Sequence, residues 1–266
     1  MRREAVVALE AAKEAAAVVM GVYAAPFDVE FKVADDPVTR ADKESNALLC
    51  VRLAAAFPGV PVVAEESDPA TYAGFASAEA AWFVDPLDGT RDFVARNGEF
   101  AVMIGLAEAG RSVLGVLVLP AFGRSFVGAE GVGAFEVAAS GARTPIRVAT
   151  RTELEGARVL VSRSRRVPEA EAKIAELGLV AVPCGSAGVK GAKIACGEAD
   201  LYVQAGNAGL RWDSCAPEAI VRAAGGSWVT AFGDPYDYGQ ERIVNDRGVV
   251  AGNDALVARL IASFKW

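Results

Sequence analysis

The stretch Trp82-Phe83-Val84-Asp85-Pro86-Leu87-Asp88-Gly89-Thr90 constrains this chain more than any other. Its apolar run, Ala81 to Val84, reads as a short buried strand. Proline has no amide to donate to a sheet, so the strand is expected to end before Pro86. Asp85 and Asp88 then share one tight turn and can face the same point. Carboxylates placed this way suit hard cations such as Mg²⁺, Mn²⁺ or Ca²⁺. Gly89 lets backbone approach a ligand closely, so the Gly89 and Thr90 amides can hold an anion such as phosphate. Metal ligands beside phosphate donors point to metal-assisted phosphoryl chemistry. Taken alone, the same residues also read as a solvated turn after an edge strand.

One neighbouring chemistry is excluded. Leu87 to Thr90 resembles the end of the Asp-x-Asp-Gly-Thr signature of haloacid dehalogenase-type phosphatases. Their nucleophilic Asp would stand where this chain has Pro86, so a phospho-aspartate route is closed.

Composition narrows the rest. A chain of 266 residues permits one large domain or two smaller ones with ample core. The net charge of −7 argues against nucleic-acid polymers and anionic membranes as partners. A phosphate-bearing substrate must therefore be drawn in by bound metal or a local basic patch. There is no histidine. Ser-His-Asp and Cys-His catalysis and histidine metal sites are thereby removed. Acid–base work falls to carboxylates, hydroxyls, lysine or metal-bound water. The four cysteines lie far apart without a Cys-x-x-Cys pair, which disfavours zinc ribbons and thioredoxin-like sites. Cys50, Cys184 and Cys196 sit in apolar surroundings and are expected to be buried free thiols, as fits a reducing cytoplasm. Glu4, Glu10, Lys13 and Glu14 interrupt the apolar N-terminal residues, so no signal peptide is expected. No run approaches the roughly 18 apolar residues of a membrane helix.

Along the chain, Ala-rich residues 2–24 predict a long amphipathic helix. Residues 27–40 read as polar and extended. Asp42 falls in the first turn of a helix running to Phe57, where Thr39 or Asp42 can serve as a cap. Val60 to Ala64 predicts a buried strand followed by Glu65-Glu66-Ser67. If it neighbours the Ala81–Val84 strand, Glu65 and Asp85 meet at one edge. Residues 68–80 read as a flexible loop. Arg91 to Gly98 reads as a short turn or helix. Antiparallel strands are expected at 99–107, 112–119, 125–127 and 133–137. The Gly-, Thr- and Arg-rich segment 140–155 marks a plausible boundary. Beyond it, strands at 158–162, 179–183, 201–204, 226–231 and 249–251 alternate with helices at 168–177, 187–196, 212–224 and 255–264, which is α/β character. Asp213 opens one of these helices, as a cap or as a metal ligand projecting into a cleft. Arg163, Arg165, Arg166, Lys190, Lys193 and Arg211 flank strand ends, as a seat for a second anionic group or as solubilising charge.

Four separated motifs now decide between these readings. Asp36-Pro-Val-Thr-Arg-Ala-Asp42, Glu65-Glu-Ser67, Asp85-Pro-Leu-Asp-Gly-Thr90 and Trp212-Asp-Ser-Cys-Ala-Pro-Glu218 with Gly225-Gly226 occur in order. With them the chain resembles the inositol monophosphatase superfamily of metal-dependent, lithium-sensitive phosphomonoesterases. The match covers about residues 30–255, and the plain turn and cap readings lose to it. Within the superfamily the chain is most similar to the 3'(2'),5'-bisphosphate nucleotidases, through Arg91-Asp-Phe-Val-Ala-Arg-Asn-Gly-Glu-Phe100, Ser162-Arg-Ser-Arg165 and Gly185-Ser-Ala-Gly-Val-Lys190.

That resemblance implies a layered α-β-α-β-α sandwich. Residues 1–155 would form an N-terminal part carrying most ligands. Residues 156–266 would supply the last ligand and the specificity pocket. It implies two or three Mg²⁺ ions held by Glu65, Asp85, the Leu87 carbonyl, Asp88 and Asp213. The Gly89 and Thr90 amides would hold phosphate. The Thr90 hydroxyl, bonded to Asp42, would accept the proton of the attacking water. Ser162, Arg165, Ser186 and Lys190 are the expected contacts to the rest of a nucleotide. The implied reaction is hydrolysis of adenosine 3',5'-bisphosphate to AMP in a cytoplasmic monomer or homodimer that binds neither nucleic-acid polymer nor membrane. An inositol monophosphatase-type or fructose-bisphosphatase-type sugar phosphatase is the alternative. One departure stands out: the family's His in Ser-Arg-Ser-His is Arg165 here. Arginine can stack on an adenine face or bind a phosphate, so the change alters the pocket without emptying it.

Overall fold

The computed structural model describes residues 2–32 and 36–263. Helix α1 (Arg3–Tyr23) forms because small apolar residues recur on one face, with Ala5, Ala8, Ala12, Ala15, Val19 and Val22 all buried. Strands β1 (Val29–Phe31) and β2 (Pro37–Thr39) pair as an antiparallel ribbon. Helix α2 (Arg40–Ala56) follows, capped by the Thr39 side chain and Asp42 together. Next come β3 (Val62–Ala64), β4 (Ala80–Asp88), the short α3 (Thr90–Val94), β5 (Ala101–Glu108), β6 (Arg111–Leu119), β7 (Arg124–Ala129), β8 (Gly133–Val137) and β9 (Arg143–Pro145). The later elements are β10 (Arg158–Ser162), α4 (Pro168–Glu176), β11 (Val180–Cys184), α5 (Ala187–Ala195), β12 (Leu201–Gln204), α6 (Arg211–Ala223), β13 (Ser227–Val229), β14 (Val249–Gly252) and α7 (Asp254–Ser263).

These elements stack in five layers. Strands β3 to β9 form one sheet in sequence order, and a second sheet runs β11-β10-β12-β14-β13. Helices α1 and α2 pack on one face of the larger sheet, around Trp82, Val84, Val102 and Ile104. Helices α5 and α6 fill the space between the sheets with Met103, Leu117, Tyr202 and Trp228. Leu256, Leu260 and Ile174, from α7 and α4, cover the outer face of the smaller sheet. This is the expected α-β-α-β-α sandwich.

Helix α6 lies almost on the backbone of the larger sheet. Gly105, Gly115 and Gly128 are paired in register across β5, β6 and β7. A Cβ on Gly115 would stand 2.2 Å from the Ala216 carbonyl oxygen, and one on Gly128 would stand 2.6 Å from the Ile220 Cα. The row of glycines therefore sets how close α6 can come. The Ser112 hydroxyl donates to the Cys215 carbonyl at 2.7 Å and fixes the helix along its axis.

Several expectations are corrected. Strand β4 does not stop at Val84 but continues through Pro86 to Asp88. Its neighbour β3 pairs only with Trp82 to Val84, and the register against β5 shifts between Asp85 and Asp88. The missing amide of Pro86 thus falls in a bulge, where no ladder bond is needed. Residues 68–80 are not a free loop. They form two 3₁₀ turns, Pro69–Tyr72 and Phe75–Ser77, that bury Tyr72 and Phe75, with the Phe75 ring 5.7 Å from Phe83. Strand β9 lies inside the segment read as a boundary. Strand β3 starts at Val62, β11 is shifted by one residue, and β13 spans only three residues. Cys50 and Cys196 are half-buried rather than buried, and all four cysteines are free. The expected end of the last helix, Phe264, lies outside the described residues, as do 33–35 of the segment expected to be extended.

Substituting Gly115→Ala should destabilise the protein by about 1–3 kcal/mol or more, because neither backbone can yield freely. Gly21→Ala on α1, where an added Cβ meets nothing within 4 Å, should instead stabilise by about 0.5–1 kcal/mol. Urea unfolding of the two variants checks both signs.

Candidate active site

The site grows from the β4 bulge. Within it the Leu87 amide donates to Asp85 Oδ1 at 3.0 Å, and the Pro86 carbonyl accepts from Ser45 of α2 at 3.0 Å. Gly89 then takes a left-handed conformation, φ 91°, and starts α3. A side chain there would meet the Glu99 carbonyl at 2.8 Å, so both conformation and space require glycine. The turn brings Thr90 back toward α2. Its Oγ1 lies 3.0 Å from Asp42 Oδ1 and 3.1 Å from the Leu87 carbonyl oxygen. Asp42 Oδ2 accepts from the Thr39 amide and hydroxyl, both at 2.7 Å. One carboxylate therefore caps α2 and reaches Thr90. Burial pushes its pKa up against these hydrogen bonds.

Glu65 leaves β3 beside β4, where its amide donates to the Val84 carbonyl at 3.1 Å. Strands β3 and β4 are parallel neighbours, which brings Glu65 and Asp85 to one edge as expected. Sequence reasoning missed Lys32, whose ammonium lies 3.0 Å from Glu65 and also bonds Glu66. Nothing in the spacing signals that pair, which only the β1–β2 ribbon creates. Asp213 arrives from the other half, in the first turn of α6, and its Oδ2 accepts from the Leu210 amide.

Asp85, Asp88 and Asp213 each present an oxygen within 4.8 Å of the others. Burial, followed by the charges of Glu65, Asp88 and Asp213, drives the Asp85 carboxyl well above the usual range. Burial and then Asp88 push Asp213 up to about 6. Burial pushes Glu65 up to about 8, although Lys32 opposes it. Each of these carboxyls is thus pushed toward its protonated form, and a bound cation would favour the ionised form. The cluster can bind a metal ion: its donors are all hard oxygens, as a hard divalent cation requires.

The same cavity continues into the second half, where Ser162, Arg165, Ser186, Lys190, Tyr202 and Gln204 line it. Of the six basic residues noted in the sequence, Arg165 and Lys190 face this cavity. The Lys190 ammonium is buried, 3.3 Å from the Cys184 carbonyl and 5.1 Å from the centre of the Tyr202 ring. Burial lowers its pKa. The Arg165 amide donates to Ser162 Oγ at 3.1 Å, while its side chain stands exposed at the rim. The other four have separate tasks. Arg163 and Lys193 pair with Glu99, Arg166 pairs with Glu171, and Arg211 bonds Asn245 and sits 5.1 Å over the Tyr236 ring. Ser186 reaches the cavity, but its hydroxyl donates to Asp88. All the expected residues are thus brought to one seam.

The comparisons with known proteins agree with this geometry. The model of the inositol monophosphatase family matches residues 1–265. The chain belongs to the inositol monophosphatase family. It is accordingly a phosphatase, a phosphoric monoester hydrolase. It is 34% identical over 229 residues to the 3'(2'),5'-bisphosphate nucleotidase CysQ of Escherichia coli K12, covering 85% of this chain and 90% of that one. The solved structure of CysQ from Bacteroides thetaiotaomicron superposes with a TM-score of 0.79 at 28% identity, over 95% of this chain and 98% of that one. Inositol monophosphatase from Anabaena gives the same TM-score and identity, over 97% and 94%. Among the described residues no helix is long and apolar enough to cross a membrane.

The raised carboxyls predict a pH dependence. In the metal-free fold Glu65, Asp85 and Asp213 keep protons that the unfolded chain releases near pH 4. Stability must then fall as pH rises, through about 6 for Asp213 and about 8 for Glu65. With chelator present, the melting temperature should climb as pH is lowered from about 9 toward 5. Added Mg²⁺ should raise it most at the alkaline end. A flat profile in chelator would contradict the buried acidic cluster.

Proposed function

We propose that this chain is a Mg²⁺-dependent 3'(2'),5'-bisphosphate nucleotidase that converts adenosine 3',5'-bisphosphate to AMP. The observation that carries the reading is one cavity lined both by an oxygen-only acidic cluster and by Arg165 and Lys190. Such a cavity suits a small substrate with two phosphates, one at the metal ligands and one at the cationic wall. The named nucleotidase relatives support the same substrate class.

Glu65, Asp85, Asp88, Asp213 and the Leu87 carbonyl would hold two or three Mg²⁺ ions. Bound there, Mg²⁺ supplies charge neutralisation and lowers the pKa of water. The Gly89 and Thr90 amides orient the phosphate of the scissile ester. Thr90 Oγ1 takes the proton of the attacking water while Asp42 Oδ1 receives the threonine proton, along the 3.0 Å contact. The water oxygen bonds to phosphorus, the bond to the ribose oxygen breaks, and that oxygen takes a proton from solvent water and leaves as a hydroxyl, while Asp42 returns its proton to solvent. No covalent enzyme intermediate forms. Lys190 and Ser162 hold the remote phosphate and sugar, and Arg165 meets the base or phosphate at the rim. Four free thiols suit a reducing compartment, and we place the protein in the cytoplasm.

An inositol- or sugar-phosphate phosphatase is the second reading. The observation favouring it is Arg165, which stands exposed where a nucleotidase is expected to have histidine.

Phosphate release from adenosine 3',5'-bisphosphate, its 3'-phospho-5'-phosphosulfate analogue and inositol 1-phosphate, measured side by side with Mg²⁺, separates the readings. The nucleotides should be preferred. Preference for inositol 1-phosphate would reject the nucleotide pocket and leave the metal chemistry standing. Thr90→Val should lower kcat by about 10²–10⁴-fold, the usual range for a proton-transfer group, while the Mg²⁺-induced rise in melting temperature persists.

A further inference from the structure

Ser186 is expected from its motif to touch the nucleotide, yet its surroundings give it another task. Its backbone stands at φ 54°, ψ 130°, a conformation that residues with a side chain rarely adopt. It is the N-cap of α5, and its Oγ accepts from the Val189 amide at 3.0 Å. The hydroxyl proton goes to Asp88 Oδ2, across the seam between the two halves. The same oxygen accepts from the Gly188 amide at 2.7 Å. A serine hydroxyl has one proton to donate. With it engaged by Asp88, Ser186 cannot donate to a substrate without releasing that carboxylate.

The turn that carries Ser186 is itself clamped. The Gly185 amide donates to Glu99 Oε2 at 2.7 Å, and Glu99 is further paired with Arg163 and Lys193. A side chain at Gly185 would meet the Asp92 carboxylate at 2.2 Å, which holds the turn close to α3. The unusual backbone of Ser186 is therefore fixed from both sides and aims the hydroxyl at Asp88.

We propose that Ser186 is a positioning residue for the metal centre. Its hydroxyl, with the Gly188 amide, fixes the rotation of the Asp88 carboxylate and so the direction in which Asp88 can meet a cation shared with Asp85 and Asp213. The inference rests on the metal-site part of the proposed function and not on the nucleotide. It also makes the second half an active contributor to a ligand that the first half supplies. Partners that orient a metal ligand typically account for 10–100-fold in metal affinity.

The test uses the full chain, first without substrate and then with it. The rise in melting temperature is followed as Mg²⁺ is added to wild type, Ser186→Ala and Ser186→Gly, and KM for adenosine 3',5'-bisphosphate is then measured at saturating Mg²⁺. Both variants should need about tenfold more Mg²⁺ for half of the thermal shift, with KM changed by less than about twofold. Ser186→Gly should also melt, metal-free, at or above Ser186→Ala, because glycine accepts the positive φ. An unchanged Mg²⁺ midpoint in both variants overturns the proposal. If KM alone rises, the hydroxyl serves substrate. If only the metal-free melting temperature falls, it serves the fold. A wild type that shows no Mg²⁺ shift overturns this proposal together with the metal reading. A shifted midpoint in an enzyme that prefers inositol 1-phosphate sustains it while the nucleotide reading falls.

Discussion

Like charges held close together in a buried place govern this molecule. Two unit charges about 4 Å apart repel by about 4 kcal/mol at an effective dielectric constant near 20. That is several times the net worth of a typical hydrogen bond, about 1 kcal/mol. Asp85, Asp88 and Asp213 each present an oxygen within 4.8 Å of the others, and the charge of Glu65 raises Asp85 further. Total stabilities run to only about 5–15 kcal/mol. Protons or a bound cation would relieve this repulsion. The fold has to hold the carboxylates together against their own repulsion, and most of its distinctive features do that.

Each carboxylate is held by a different device. The bulge at Pro86 turns Asp85 and Asp88 to the same side and ties Asp85 to its own turn. The glycine row in β5, β6 and β7 lets α6 settle onto the sheet, which carries Asp213 to the end of β4. The α5 turn grips Asp88, while Glu99 grips that turn in exchange. The two halves thus interlock through the site itself. Arg165 and Lys190 line the same cavity as the carboxylates.

The sequence made the site legible because its motifs combine residue type with spacing. Asp85, Asp88 and Asp213 are adjacent in space as the motifs imply, and Asp42 proves to be both the helix cap and the partner of Thr90. The α/β alternation beyond residue 155 was readable from hydrophobic period and turn residues, and the layering from the family resemblance. What escaped depends on tertiary contact. Pro86 read as a stop because a bulge cannot be seen without the neighbouring strand. Tyr72 and Phe75 sit in a stretch whose small polar residues suggested a loop, and only the Phe83 ring across the sheet explains their burial. Lys32 has no local signal at all. The contact of Ser186 also had no local signal: positive φ is usually announced by glycine, and here a serine adopts it with its hydroxyl bonded to a carboxylate 98 residues away.

The most direct measurement is phosphate release from adenosine 3',5'-bisphosphate by chelator-treated protein as Mg²⁺ is returned. The account predicts no turnover without metal and a saturable recovery on Mg²⁺ addition, abolished in Asp213→Asn. Turnover that persists in chelator, or that survives the loss of Asp213, would contradict the view that carboxylates from both halves assemble one metal centre.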